Sequence, residues 1–297
     1  LLVTPSADFF AEPHVDSLIG YAKVFHAAGI SWTLSSHASE AGNFGLFIGN
    51  YEQMRTIALR IREAALELGV KRIVVGECGH AWRVAYSFWN TLAGIGSGAT
   101  DPYARMLQDQ LDHSHRQPTH ICELTWDLVQ KGALAIDKDA NDHRVITFHD
   151  SCNVARASRM GDEPGGQFEI PRALVRAVAN KYVEMRPGTT HEATFCCGGG
   201  GGLLTDELLD LRVKGALPRM ESLREVADRH GVNFMATICA ICKAQFTKVL
   251  PYYGFNRNMV GGVHQLVSTA IRLGAIDLAI GSTINWSPQV KQLNLFS

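Results

Sequence analysis

The stretch LREVADRHGV, residues 223–232, repeats an earlier stretch, IREAALELGV, residues 61–70, with Arg, Glu, Ala, Gly and Val in register. Each copy has the spacing of an amphipathic helix and reaches a glycine, which tolerates the left-handed conformation that follows a helix. An apolar run comes next in both copies, at residues 72–76 and 233–238, and predicts a buried strand. The chain therefore contains a duplicated helix–strand unit.

The same alternation of helices and strands extends outward from both copies. Residues 1–4 and 30–34 have the pattern of strands, and residues 15–28 and 51–68 that of helices. Alternation of this kind is typical of parallel βα units, whose helices cover a small sheet. We therefore predict an α/β fold with two pseudo-repeated lobes, each a small parallel sheet flanked by helices.

The polar run at residues 138–143 interrupts the pattern and indicates a linker between the copies. The predicted domains follow from it. Residues 1–137 form a first lobe, residues 144–280 a second lobe, and residues 281–297 a C-terminal tail.

The composition excludes several classes of function. The 297 residues are 46% hydrophobic and 19% charged, with a net charge of −1. Nucleic acid is disfavoured as a partner because neutralising its phosphates needs surplus Lys and Arg. No apolar run approaches the roughly 20 residues of a membrane span, so we expect no direct span. Seven cysteines are too few for a disulfide scaffold, and their number is odd.

Five cysteines of the second lobe carry the predicted chemistry: Cys152, Cys196, Cys197, Cys239 and Cys242. They fall at strand ends, and parallel strands bring their carboxyl ends to one edge of a sheet. Thiolates suit iron–sulfur clusters and zinc. Five ligands exceed the four of a structural zinc site, and adjacent side chains diverge, so a polynuclear cluster fits better than zinc.

Five glycines, residues 198–202, directly follow the adjacent cysteines. A backbone without Cβ atoms can approach an inorganic core closely, and its N–H groups can bind sulfide or an anion. We therefore predict that Gly198 and Gly199 bind the cofactor. Basic side chains nearby either offset negative charge or form the solvent face of a helix; they are Arg156, Arg159, Arg172 and Arg176, together with His149.

The pattern Cys152…Cys196-Cys197-Gly198…Cys239-x-x-Cys242 resembles the cysteine-rich "CCG" domain of heterodisulfide reductase subunits, over nearly the whole chain. The sequence around the motifs looks closest to DsrK-type subunits of dissimilatory sulfur metabolism. This resemblance implies a noncubane [4Fe–4S] cluster on the five cysteines, which cleaves or forms a disulfide-type bond in one-electron steps. It also implies that the chain is the C-terminal fragment of a longer protein, with ferredoxin-type modules ahead.

The resemblance further implies partners and a location. The substrate would be a disulfide or trisulfide on a DsrC-like small sulfur-carrier protein. Electrons would pass through a DsrM-like membrane cytochrome b and other subunits to quinone, which predicts a cytoplasmic protein peripheral to the inner membrane. Two alternatives stay open. One is a CCG iron–sulfur subunit of a glycolate or lactate oxidase complex, and the other is a zinc-stabilised scaffold without redox chemistry.

The first lobe departs from the motif pattern. Ser39-Glu40-Ala41 stands at the CCG position, and the C-x-x-C position reads Cys78-Gly79-His80-Ala81. One thiol cannot hold a second cluster. We therefore predict that Cys78 and His80 face the cluster across the lobe interface and contact or protonate the leaving sulfur; simple packing is the alternative for Cys78. Cys122 is expected to be a packing residue, since buried cysteines usually are.

Overall fold

The computed structural model describes residues 1–5, 8, 11–92, 118–160, 163–164, 167–202 and 204–273. The predicted tail, residues 281–297, lies outside this range, as does the end of the second lobe after residue 273.

The first half contains a three-stranded parallel sheet in the order β1-β2-β3, formed by Leu2–Val3, Val74–Val75 and Thr119–His120. The described helices of this half are α1 (Val15–Ala27), α2 (Asn43–Ile48), α3 (Tyr51–Glu67), α4 (Gly79–Ser87), α5 (Trp89–Leu92) and α6 (Ile121–Gln130).

The second half has a parallel sheet in the order β4-β7-β8, formed by Ile146–His149, Phe234–Thr237 and Val260–Gly262. A short antiparallel ribbon, β5 (Arg159–Met160) with β6 (Glu163–Pro164), stands apart from it. The helices are α7 (Cys152–Ala155), α8 (Glu169–Val178), α9 (Leu209–His230), α10 (Ala240–Val249) and α11 (Val263–Ala270).

The two sheets confirm the α/β fold of two repeated parallel units. In each, the second strand follows the helix of the repeated motif, and the glycine after that helix has positive φ: +61° at Gly69 and +70° at Gly231. The segment 30–34 is not assigned as a strand, which corrects that prediction. It still borders its sheet, since Leu2 N donates to Thr33 O at 3.0 Å.

The segment between the copies is more ordered than a polar linker needs to be. Lys138–Asn141 forms a 3-10 helix, and the buried Asn141 amide donates to the carbonyl oxygens of Val178 and Leu266. These bonds tie the segment to α8 and α11.

The hydrophobic interior joins the halves. The larger of two clusters combines side chains from both halves and includes Trp82 on α4 and Trp89 on α5. The smaller cluster belongs to the second half and contains Cys197, Cys239 and Cys242. Helix α1 lies along α11. No helix in the parts of the chain described combines the length and apolar character needed to cross a bilayer.

Candidate metal centre

Five thiols of the second half gather at the carboxyl ends of β4 and β7. Cys152 begins α7 just after β4, and Cys239 caps α10 just after β7, with Cys242 in the first turn of that helix. Cys196 and Cys197 lie on the loop before α9. All seven cysteines of the chain are free. The convergence arises because parallel strands end at the same edge of a sheet.

The thiols form a continuous line. The Cys196 side chain hydrogen-bonds to those of Cys152 and Cys197. Cys197 in turn contacts Cys242, which contacts Cys239. The adjacent pair in the middle therefore links Cys152 at one end to the C-x-x-C pair at the other.

The sulfur atoms are spread more widely than the ligands of a single metal ion. Sulfurs at about 2.3 Å from one tetrahedral ion lie about 3.8 Å from one another. Among the described residues, no three of the five sulfurs lie within 4.8 Å of one another. The arrangement fits a group with more than one metal ion better than a single zinc ion.

The pKa values of the thiols are shifted in both directions along the line, and those of the neighbouring Cys197 and Cys242 are both raised. The pKa of Cys196 is lowered by hydrogen bonds from Cys152 and Cys197 and by backbone N–H groups, and that of Cys239 is lowered by Cys242 and His80. The pKa of Cys152 is raised by its bond to Cys196 and by burial. Thiolate is the metal-binding form of cysteine, so the lowered pKa values of Cys196 and Cys239 favour the form that could bind a metal.

The glycine run shapes the loop that carries the adjacent thiols. Gly198 has φ +88°, and a Cβ there would lie 2.2 Å from the carbonyl oxygen of Arg212, so no other residue fits without moving the loop. Gly198 N donates to Cys196 Sγ at 3.3 Å, and Gly199 N donates to Cys197 Sγ at 3.4 Å. The predicted cofactor-binding glycines thus direct their N–H groups at the thiols.

The first half supplies one wall. His80 is buried, its ring is within hydrogen-bonding reach of the Cys239 thiol, and its Nε2 lies 3.0 Å from Asn153 Nδ2. Phe47 packs edge-on against His80 with ring centroids 5.1 Å apart, and its ring also covers Gly202. Neither Phe47 nor Asn153 belongs to a recognisable motif.

Cys78, predicted together with His80 to face the cluster, is completely buried. It lies in the larger hydrophobic cluster, where burial, then Asp8 and Cys239, raise the pKa of its thiol. Cys78 is therefore within electrostatic range of Cys239. Cys122 is also fully buried, as expected of a packing residue.

The predicted basic residues do not reach the thiols. Arg172 is buried in a bidentate pair with Asp150 at 2.7 and 2.8 Å and also bonds Glu184, while Arg176 stacks on a tyrosine ring. Arg156 donates to backbone carbonyl oxygens and Arg159 faces Glu192. These arginines hold the loops of the second half together.

His149 does not act as a cation either. Burial, aided by Arg219, lowers its pKa to about 3, so the imidazole is neutral at physiological pH. A basic side chain that does interact electrostatically with the thiols of Cys242 and Cys197 is Arg219 on α9. It is fully buried and keeps a pKa of about 10. Its position on the apolar stripe of α9, with Ala216 and Leu223, is the sequence signal that could have revealed it.

A buried ionic network joins the halves beside the centre. Lys243, next to Cys242, donates to Glu77, Ser17 and His14, and the other carboxylate oxygen of Glu77 accepts from His264. Ala240 N also donates to Glu77 O at 2.9 Å. Glu77, Cys122 and His264 have the spacing of metal ligands, but the Lys243 ammonium already supplies the cation there.

Residues 146–247 match a family described as the CCG cysteine-rich domain. The matched segment runs from β4 into α10 and contains all five thiols, so the second half carries this domain.

Over 293 residues the chain is 38% identical to the Hdr-like menaquinol oxidoreductase iron-sulfur subunit of Archaeoglobus profundus, covering 93% of this chain and 51% of that protein. It is 37% identical over 294 residues to the Hdr-like menaquinol oxidoreductase iron-sulfur subunit 2 of Archaeoglobus fulgidus, with the same coverage. A third relative, the EtfAB:quinone oxidoreductase of Syntrophomonas wolfei, is 24% identical over 181 residues, 61% of this chain and 21% of that protein.

The chain spans about half the length of the first two relatives. Their names agree with the heterodisulfide-reductase-like resemblance inferred from the motifs. None of these three is named as a DsrK-type subunit, so that finer assignment stays a prediction.

Proposed function

We propose that this chain is the cluster-bearing part of a heterodisulfide-reductase-like oxidoreductase that exchanges electrons between a quinone-linked membrane partner and a sulfur–sulfur bond. The observation that carries the proposal is the line of five thiols inside the matched cysteine-rich domain. Relatives named as iron–sulfur subunits of menaquinol oxidoreductases support the same chemistry.

Cys152, Cys196, Cys197, Cys239 and Cys242 would hold a noncubane [4Fe–4S] cluster, and the N–H groups of Gly198 and Gly199 would support it. When bound, such a cluster supplies electrons one at a time. The fit rests on donor chemistry: five soft thiols at one edge of a sheet, two of them with lowered pKa, beside backbone N–H donors.

Side chains of the first half would act on the sulfur substrate. Cleavage of a disulfide to two thiols consumes two electrons and two protons, and a thiolate leaves more readily when a proton donor is near. His80, near Cys239 and 3.0 Å from Asn153 Nδ2, would take that role.

For the whole complex, we propose a DsrC-like protein as the carrier of the disulfide or trisulfide, and a DsrM-like cytochrome b as the link to quinone. The protein would then work on the cytoplasmic face of the inner membrane. Relatives named as menaquinol and quinone oxidoreductases support the quinone link.

Metal and sulfide analysis of the anaerobically purified chain tests the proposal. We expect iron and acid-labile sulfide together, and an electron paramagnetic resonance signal from the oxidised protein that changes when a thiol partner is added. Cys239→Ser should lose the signal, whereas Cys122→Ser, a buried cysteine outside the line, should keep it. One zinc ion per chain without iron would refute the proposal and support the scaffold alternative.

A further inference from the structure

His149 ends strand β4, immediately before the turn that leads to Cys152. Side chains of β4 alternate between the faces of the sheet. Phe148 enters the larger hydrophobic cluster, and His149 faces the other side, where its ring meets Phe246 edge-on at 4.8 Å between centroids. Phe246 belongs to the smaller cluster, the one that contains three of the thiols.

The imidazole of His149 is completely buried. Within the described part of the chain, neither of its ring nitrogens has a hydrogen-bond partner. Leaving a buried donor without a partner costs about 1–3 kcal/mol. The absence of a protein partner in the described ranges therefore indicates that a bound group accepts the hydrogen bond of this imidazole.

A second unpartnered group lies beside it. Thr237 is the register partner of His149 on β7, and its buried Oγ1 also lacks a partner among the described residues. Both side chains stand at strand ends, just ahead of Cys152 and Cys239. The imidazole of His149 and the hydroxyl of Thr237, both without a hydrogen-bond partner among the described residues, thus lie at the edge of the sheet where the thiols converge.

Electrostatics link His149 to the thiols. Cys196 and Cys239, the two cysteines with lowered pKa, both act on its ring. A neutral imidazole carries one N–H donor. An N–H group aimed at accumulated thiolate charge is stabilising without the cost of burying a second ion.

We propose that His149 is a positioning residue that donates its ring N–H to a sulfur of the anionic metal–sulfur centre held by the five thiols. The proposal rests on the function proposed above. It assigns His149 a different role from the ligand role proposed for the five cysteines and from the proton-donor role proposed for His80.

Pulsed electron paramagnetic resonance on the chain carrying ¹⁵N-histidine tests this contact directly. The paramagnetic centre should show a weak ¹⁵N coupling of hydrogen-bond size. The coupling should persist in His80→Gln and disappear in His149→Gln, in which the amide donor carries no ¹⁵N. Absence of the coupling, its loss only with His80→Gln, or a coupling as strong as that of a metal ligand would overturn the proposal.

The midpoint potential provides a second readout. A hydrogen bond donated to a cluster sulfur stabilises the reduced state, which carries more negative charge. Removing that hydrogen bond therefore lowers the midpoint potential. We expect a shift to more negative potential in His149→Phe, which keeps the aromatic contact with Phe246, and recovery towards the wild-type value in His149→Gln, which keeps a donor. Equal potentials in all three proteins would overturn the donor role.

The two proposals fail separately. Wild-type protein without iron and sulfide would refute the proposed function. Iron and sulfide present with no histidine coupling would leave the function standing and remove His149 from it. If His149→Phe does not retain the centre, the labelled wild-type and His80→Gln proteins still decide the matter.

Discussion

The ammonium group of Lys243 donates a hydrogen bond to the carboxylate of Glu77, although the two residues belong to different copies of the repeat. Both side chains are fully buried. Burial alone would raise the pKa of Glu77, but Lys243 and the hydrogen bond from His264 hold it well below its usual value. Since Lys243 directly follows Cys242, this ion pair fixes the start of α10 against the first half.

Lys243→Met should be among the most damaging single substitutions outside the thiols. It leaves the Glu77 carboxylate buried without its cation, which costs about 3–5 kcal/mol. Urea unfolding followed by circular dichroism measures the loss. Lys248→Met, on the exposed side of the same helix, is the matched control and should change the free energy of unfolding by less than about 0.5 kcal/mol. Equal effects would show that the ion pair does not stabilise the fold.

Folding stability should fall as pH drops below about 6.5, partly through His120. Burial lowers its pKa to about 3 in the folded chain, so only the unfolded chain takes up a proton between these values. Each such group contributes a slope of about 1.4 kcal/mol per pH unit. His120 Nδ1 also accepts from Cys122 N at the start of α6, a role that Asn can fill.

His120→Asn should therefore keep the helix cap and reduce the slope of stability against pH. Urea unfolding between pH 5 and 6.5, above the usual range of carboxylates, gives that slope. His149, whose pKa is also about 3, contributes to the slope that remains. An unchanged slope would mean that His120 is protonated in the folded chain.

Gly198→Ala should displace the loop that bears the adjacent cysteines. Its Cβ would meet the carbonyl oxygen of Arg212, whereas Gly188 has a similar φ of +80° with nothing within 4 Å of an added Cβ. Gly188→Ala thus isolates the backbone cost, about 1–2 kcal/mol. We expect Gly198→Ala to cost more and to lower the bound iron. Equal unfolding energies and iron contents would contradict the steric argument.

In the metal-free protein, Cys196 should react first with iodoacetamide near neutral pH. It is partly exposed, and its pKa is lowered by the thiols of Cys152 and Cys197. Cys152 has similar exposure, but its pKa is raised, so it should react slowly. Mass spectrometry of the peptides gives the order. Faster labelling of Cys152 would reverse the assignment of thiolate and thiol.

Periodicity predicted much of the fold. The repeated helix with its closing glycine fixes where each central strand begins, and cysteines placed after parallel strands must converge whatever the helices between them do. The strand predicted at residues 30–34 was wrong because the apolar pattern does not show whether the neighbouring strand is long enough to pair with it.

The long-range ionic contacts could not be predicted from the pattern. Arg172 looks like a solvent-facing residue of α8, yet it pairs with Asp150 inside the second half. Nothing in one sequence indicates which carboxylate a buried cation will meet, because the pairing depends on how distant elements pack. For the same reason, the neutral state of His149 became visible only from its burial.

The larger hydrophobic cluster draws on both copies, and the chain is interlocked further where Asp137 N donates to Ala270 O and Arg272 N donates to Ala135 O. In a duplicated fold of this kind, one copy can lose its cysteines, but its packed side chains cannot be removed without exposing the core of the other copy. The copy without a full set of thiols contributes to the same interior as the other copy, so deleting it should unfold the copy that carries the five thiols.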